Sequence, residues 1–271
     1  MRCHYLSDLH LENQEFTYAL PKGEVLIVAG DLCHASCLSG ERRDVYAVKQ
    51  RDRVFRFADE ARRNFSHVLL IAGNHDHYDG VFEDTVPVLR RCLPGITVLD
   101  DEAVEIGDVA FFGMTLWTDL EGHNPAVLDK IRRGVGEYFF VKTRRQDESG
   151  AEALQKLRPG HSLAAFEKSL AALDRHLAAA GAKKTVVISH HAPSRLGGNP
   201  QFAGNGLDGA YFSNLDARVA AMTSVPVWVH GHTHICRSYR IGETAVHVNC
   251  RGFEARGGPT PGFKPDRFFE V

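Results

Sequence analysis

The stretch VPVWVHGHTHICRS, Val225 to Ser238, decides how the rest of the chain is read. An apolar run of strand character, Val227-Trp228-Val229, empties into histidines at alternate positions, His230, His232 and His234, with Gly231 between the first two. The end of a buried strand has no structural use for so many titratable rings. A metal site is the chemical reason to place them there, provided the rest of the chain supplies partners.

Working outward, the same plan recurs. EVLIVAGDL (24–32), HVLLIAGNHD (67–76) and KTVVISHHAP (184–193) are continuous apolar runs of strand length that end in polar residues, and CHYLSDLH (3–10) is a weaker member of the set. An unbroken apolar run reads as a strand buried on both faces. Helix-like stretches lie between them at 42–65, 82–93 and 161–181, so strands alternate with helices and the architecture is α/β. Residues 95–117 and 236–250 read as antiparallel hairpins, turning at Gly107-Asp108 and near Gly242. The polar, locally basic segment from about Thr118 to Gly160 (Lys130, Arg132, Arg133, Lys142, Arg144, Arg145) interrupts this rhythm. It reads as an insertion over the sheet ends, a lid, or equally as a solvated helical excursion. With no linker or repeat, residues 1–271 are expected to form one domain carrying that insertion.

In α/β sheets, ligands collect at the carboxyl ends of the strands. Here those ends carry Asp8 and His10, Gly30-Asp31, Gly73-Asn74-His75-Asp76, His190-His191, and His230 to His234. Carboxylates, an amide and imidazoles without a thiolate suit Mn²⁺, Fe²⁺/Fe³⁺ or Zn²⁺ better than a structural zinc or a calcium cage. The candidates are too many for one ion; two divalent ions about 3.5–4 Å apart and sharing a carboxylate would use them all.

The order D-x-H, G-D, G-N-H-D, H, G-H-x-H, running from Asp8 to His234, resembles that of the calcineurin-like metallophosphoesterase superfamily, and the chain looks like its small bacterial and phage phosphodiesterase-like members. The resemblance implies two β-sheets packed face to face as a sandwich with helices outside, an αββα fold. It implies that Asp8, His10, Asp31 and His234 hold one metal ion, and that Asp31, Asn74, His190 and His232 hold the other, with Asp31 bridging. His75 matches the family's non-ligand histidine beside the scissile phosphate, with Asp76 orienting its ring by a hydrogen bond. The reaction it implies is phosphodiester hydrolysis through a hydroxide bridging two metals, with His75 offsetting charge on the leaving oxygen. Gly30, Gly73 and Gly231 would let the backbone turn tightly beneath the ions.

Other residues divide less cleanly. His190 is favoured over His191 as a ligand because it closes the apolar strand and a proline follows shortly. His230 falls outside the family pattern and reads as a core ring. His34, Arg195 and Asn199 are candidate substrate contacts, each against the alternative of an ordinary loop residue. Asn249 resembles the family's Asn-Pro strand end, but Cys250 replaces the proline.

A net charge of −2 offers no general attraction to nucleic acid or to an anionic membrane, which weighs against a nuclease working on long tracts. No apolar run approaches the roughly 20 residues of a membrane span. Six cysteines without a CxxC pair, and an N-terminus that runs straight into strand-like sequence, lead to the expectation of reduced thiols in the cytoplasm. The expected function is hydrolysis of a small phosphate ester, nucleotides among the candidates, with diesters favoured. A phosphomonoesterase or protein phosphatase is the alternative on the same site. A non-catalytic metal-binding scaffold is the alternative of another class, and a full ligand set with His75 retained argues against it.

Overall fold

The computed structural model describes residues 1–146, 150–254 and 258–271. In the first sheet, strands β1 (Arg2–Leu6), β2 (Gly23–Ala29), β3 (Phe65–Ile71) and β4 (Thr97–Leu99) run parallel, and β13 (Phe268–Glu270) pairs antiparallel along the edge of β1. Their spatial order is β13-β1-β2-β3-β4. The second sheet has a parallel centre of β6 (Val109–Met114), β9 (Thr185–Ser189), β10 (Val227–His230) and β12 (Thr244–Asn249). The hairpin partners β5 (Glu102–Ile106) and β11 (Cys236–Ile241) add to the two edges through turns in which Gly107 and Gly242 have positive φ. The order across this sheet is β11-β12-β10-β9-β6-β5.

Alternation along the strands explains why their sequences read as continuous apolar runs. Val25, Ile27 and Ala29 of β2, Leu69 and Ile71 of β3, Val186 and Ile188 of β9, and Val227 and Val229 of β10 share one core between the sheets. The residues between them point the other way. Leu26, Val28, Val68 and Leu70 pack beneath helices α1 (Val45–Asn64) and α2 (Thr85–Cys92). Val187, Trp228 and Phe112 pack with Phe166, Leu170 and Leu173 of the long helix Pro159–Ala180. Two sheets therefore lie face to face between helical layers, the α/β sandwich expected from the sequence.

Helix bounds follow local chemistry. The helix-like stretch that starts at residue 42 in the sequence becomes helical only at Val45, because the Asp44 side chain accepts from the Ala47 N–H and caps it. The stretch 82–93 splits into a 3-10 turn at Phe82–Asp84 and then α2. The segment 118–160 holds α3 (Pro125–Gly134), α4 (Glu137–Phe140) and a hairpin of β7 (Lys142–Gln146) with β8 (Glu152–Lys156); residues 147–149 of this expected insertion lie outside the described residues. Ile131, Val135, Tyr138 and Val141 are buried against the outer core of the second sheet, so this part is packed on the sandwich and not merely solvated. The long helix after it is α5 (Pro159–Ala180), and α6 (Asp216–Ala220) precedes β10. Among the described residues, no helix is long and apolar enough to cross a membrane, and all six cysteines are free.

Candidate metal centre

Parallel register brings the strand ends to one place. Beyond β1, the Asp8 N–H donates to the Gly30 carbonyl and the His10 N–H to the Asp31 carbonyl, each at 3.0 Å. Beyond β10, the Gly231 N–H donates to the His190 carbonyl at 3.0 Å, and the His232 N–H reaches both oxygens of Asp8 at 3.1 Å, joining the two sheets. The His75 N–H donates to Asp31 Oδ1 at 2.8 Å. At Asp8, His10, Asp31, His232 and His234 the backbone is left-handed, with φ between 47° and 66°. Such backbone is disfavoured for residues with a Cβ, and it turns each side chain inward from the end of its strand. Two glycines make room: a Cβ at Gly30, whose φ is +86°, would stand 2.4 Å from His190 Nδ1, and one at Gly73 would stand 2.2 Å from Asp31 Oδ1.

Among the described residues, donor atoms converge in one group of Asp8, His10 and His234 and one of Asp31, His190 and His232, and two further groups include the His75 ring, one with His10 and Asp31 and one with Glu12 and His34. In the first, His10 Nε2 lies 3.1 Å from His234 Nε2, and His234 Nε2 lies 3.4 Å from Asp8 Oδ1. In the second, His190 Nε2 lies 3.0 Å from Asn74 Oδ1 and 3.3 Å from Asp31 Oδ1. Asp31 stands between the groups, with its Oδ2 3.8 Å from His10 Nε2.

The protonation pattern indicates what fits there. His190 Nδ1 is 2.9 Å from the Ala29 carbonyl, and His10 Nδ1 is 2.9 Å from Glu12 Oε1. Each therefore carries its proton on Nδ1 and presents an Nε2 lone pair to other acceptors. Acceptors facing acceptors in a buried site require a cation or an extra proton. Burial lowers the His190 pKa, but Asp31 and Asp8 outweigh it and push the ring up to about 9. Donor separations of 3.0–3.4 Å also match the edges of a coordination shell, which are about 3.0 Å for octahedral and about 3.4 Å for tetrahedral sites with bonds of about 2.1 Å. The residues fit divalent ions.

Around this centre the structure departs from the sequence reading at Asp76. Its carboxylate does not orient His75. It accepts the backbone N–H groups of Asp31 (2.9 Å), Leu32 (3.2 Å), Cys33 (3.0 Å) and Gly73 (2.7 Å), because the 3-10 turn at His75–His77 swings it back under the loop that carries Asp31. The carboxylate beside the His75 ring is Glu12, whose Oε1 is 3.7 Å from His75 Nδ1. Tyr78 stacks on the other side of that ring with centroids 4.2 Å apart. Burial lowers the His75 pKa, yet Asp31, Glu12 and Glu137 raise it to about 9. Glu137, from the inserted segment, is buried and accepts from Asn74 Nδ2 at 3.5 Å and from the Tyr78 hydroxyl at 3.3 Å. Sequence reasoning missed both carboxylates. Glu12 carried a usable signal, lying two residues after His10, whereas nothing marked Glu137 within its polar segment.

A cavity of about 590 Å³ opens onto Asp31, Asn74, His75, His232 and His234. Arg195 and Asn199 line it, as do Gly134 to Glu137 of the inserted segment and the side chains of Tyr211 and Phe212. His34 is not in that lining; its Nδ1 faces Asp79 Oδ2 at 3.4 Å and the Tyr46 hydroxyl at 3.3 Å. His191 packs its ring on Trp117 behind the centre, and His230 is buried with Nε2 3.0 Å from the Tyr239 hydroxyl. The Asn249 side chain ties Tyr5 to Lys264 and belongs to the frame.

A family model described as calcineurin-like phosphoesterase matches residues 1–236. An uncharacterised protein of Acanthamoeba polyphaga mimivirus is 21% identical over 204 residues, covering 70% of this chain and 69% of its own. Among solved structures, the phosphopantetheinyl hydrolase PptH of Mycobacterium tuberculosis superposes with a TM-score of 0.64 at 17% identity, over 95% of this chain and 92% of its own. The Thermus thermophilus protein TT1561 gives 0.50 at 11% identity, over 94% and 91%. The chain belongs to the calcineurin-like phosphoesterases and is a metal-dependent phosphoesterase.

Proposed function

We propose that this protein is a dinuclear metallophosphodiesterase built as one domain over residues 1–271, with the segment 118–160 serving as a lid at the mouth of the cavity. The observation that carries the reading is the position of Asp31. One of its oxygens faces His10 at 3.8 Å and the other faces His190 at 3.3 Å, as expected of a carboxylate shared by two ions. Asp8, His10 and His234 would hold one ion with it; Asn74, His190 and His232 would hold the other. Bound divalent ions supply charge neutralisation at the phosphoryl group and a nucleophilic water near neutral pH; Mn²⁺, iron and Zn²⁺ all suit the donor set.

The chain's own residues do the rest. His75, with Glu12 Oε1 3.7 Å from its Nδ1, donates to the oxygen that leaves. Tyr78 keeps its ring from turning. Arg195 and Asn199 contact the substrate beyond the phosphoryl group, where Tyr211 and Phe212 offer apolar surface. A cavity with that much room past the centre favours a diester with a sizeable second substituent over a bare monoester. Free thiols at all six cysteines are compatible with a reducing, cytoplasmic setting.

The test is hydrolysis of bis(p-nitrophenyl) phosphate against p-nitrophenyl phosphate with added Mn²⁺. Faster turnover of the diester, abolished by a chelator, is expected. Preference for the monoester overturns the diester assignment, and silence of folded protein with Mn²⁺, Fe²⁺ and Zn²⁺ on both overturns the enzyme. A phosphopantetheinyl ester belongs in the wider panel because one fold relative bears that name.

A further inference from the structure

Among the described residues, two buried polar atoms beside the centre have no hydrogen-bond partner: Glu12 Oε2 and His75 Nδ1. The other Glu12 oxygen is engaged by His10 Nδ1 at 2.9 Å, and its 3.7 Å separation from His75 Nδ1 exceeds a hydrogen bond. Buried groups of this kind are costly to leave unpaired, and two together, a carboxylate oxygen and a ring nitrogen, are metal donors. A third donor is close by. One atom each from Glu12, His34 and His75 lie within 4.8 Å of one another.

His34 is also posed as a ligand. Asp79 and Tyr46 both face its Nδ1, at 3.4 Å and 3.3 Å, which leaves Nε2 as the uncommitted nitrogen. A carboxylate behind one imidazole nitrogen fixes the tautomer that binds metal through the other. The His34 and His75 ring centres are 6.3 Å apart. Bonds of about 2.1 Å place each ring centre about 3.2 Å from an ion, so an ion fits nearly on the line between the rings, and a tetrahedral angle requires the rings to close to about 5.2 Å.

We propose that Glu12, His34 and His75 form a separate site for a borderline divalent cation of the Zn²⁺ class, and that filling it inhibits the enzyme. Two imidazoles and one carboxylate with open positions are a zinc-type donor set, less suited to Mg²⁺ or Ca²⁺. With Nδ1 bound to a dication, the His75 ring is pinned between Glu12 and His34, while the Asp8–His10–His234 and Asp31–His190–His232 groups keep their own ligands. Binding at this site stands on the geometry alone; its effect on rate rests on the role proposed for His75.

The experiment compares wild type with His34→Ala, each saturated with Mn²⁺ and then dialysed against Zn²⁺. Elemental analysis should find one more zinc per chain in wild type than in the variant. In Mn²⁺ alone the variant should hydrolyse bis(p-nitrophenyl) phosphate as wild type does, and its half-inhibiting zinc concentration should rise at least tenfold. Zinc that merely displaces Mn²⁺ from the other donor groups affects both proteins alike. Equal zinc content and equal inhibition overturn the proposal. His34→Gln repeats the comparison should the alanine variant unfold. If neither protein hydrolyses the ester, zinc content alone decides the site, and that failure belongs to the phosphodiesterase reading.

Discussion

The Asp76 carboxylate accepts the backbone N–H of Asp31 at 2.9 Å, and the same side chain collects three further N–H groups from Leu32, Cys33 and Gly73. The clamp holds the N–H of Asp31, where the backbone is left-handed. Asp76→Ala would leave four buried donors unpaired, so stability should fall by about 2–4 kcal/mol and metal affinity with it. Denaturant titration and metal analysis check this. An effect on turnover alone, with stability and metal content unchanged, would return Asp76 to the role beside His75 that the sequence suggested.

His75→Ala should behave in the opposite way. The proposed assignment leaves the ring out of the metal pair, although its nitrogen lies within 4.8 Å of donors on His10 and Asp31, so Mn²⁺ content should match wild type while turnover drops about 10²–10⁴-fold. Loss of a Mn²⁺ ion in this variant would make His75 a ligand of the pair.

Glu137 reaches the centre from the inserted segment and accepts from the Asn74 amide, which leaves Asn74 Oδ1 facing His190. With Glu137→Ala the amide is free to turn its nitrogen toward the metal position. Affinity for one ion of the pair should weaken about tenfold or more, with the other unchanged. Stepwise metal titration by calorimetry resolves the two. Identical titrations would confine the segment to the cavity wall.

His77 is buried with its ring stacked on Phe82, centroids 4.7 Å apart, and burial pushes its pKa down to about 4. In the unfolded chain the ring titrates near 6.5. The folded protein thus refuses a proton that the unfolded chain accepts, so this contribution is complete above pH 6.5 and is lost as pH falls toward 4. The ceiling is about 3.5 kcal/mol, from the fall from 6.5 to about 4 at about 1.4 kcal/mol per pH unit. His77→Phe should flatten the fall in stability across that window relative to wild type. An unchanged slope would mean that the ring is already protonated or hydrated in the folded state.

The strands and their tips were legible because burial on both faces leaves an unbroken apolar run, as at Val25 to Ala29 and Val186 to Ile188, and because the polar residue ending each run has no packing role. Two other kinds of feature were hidden. The hairpin of β7 and β8 is nearly all polar, KTRRQ against EALQK, so no alternation betrays it. Side-chain direction within a tight turn is also invisible to spacing. Asp76 follows His75 directly in sequence, yet the turn sends it toward the Asp31 loop, while Glu12 reaches the histidine from a different strand end.

Left-handed backbone at Asp8, His10, Asp31, His232 and His234 also bears on how mutants of these positions should be interpreted. A β-branched replacement removes the ligating atom and forces a conformation its own side chain resists, so it conflates lost coordination with a refolded loop. Asparagine and glycine tolerate that conformation and separate the two effects. Natural drift should feel the same asymmetry: an Asp8 or Asp31 that becomes asparagine keeps its loop even as the charge goes. Weakened metal loading is then a smaller evolutionary step than loss of the fold.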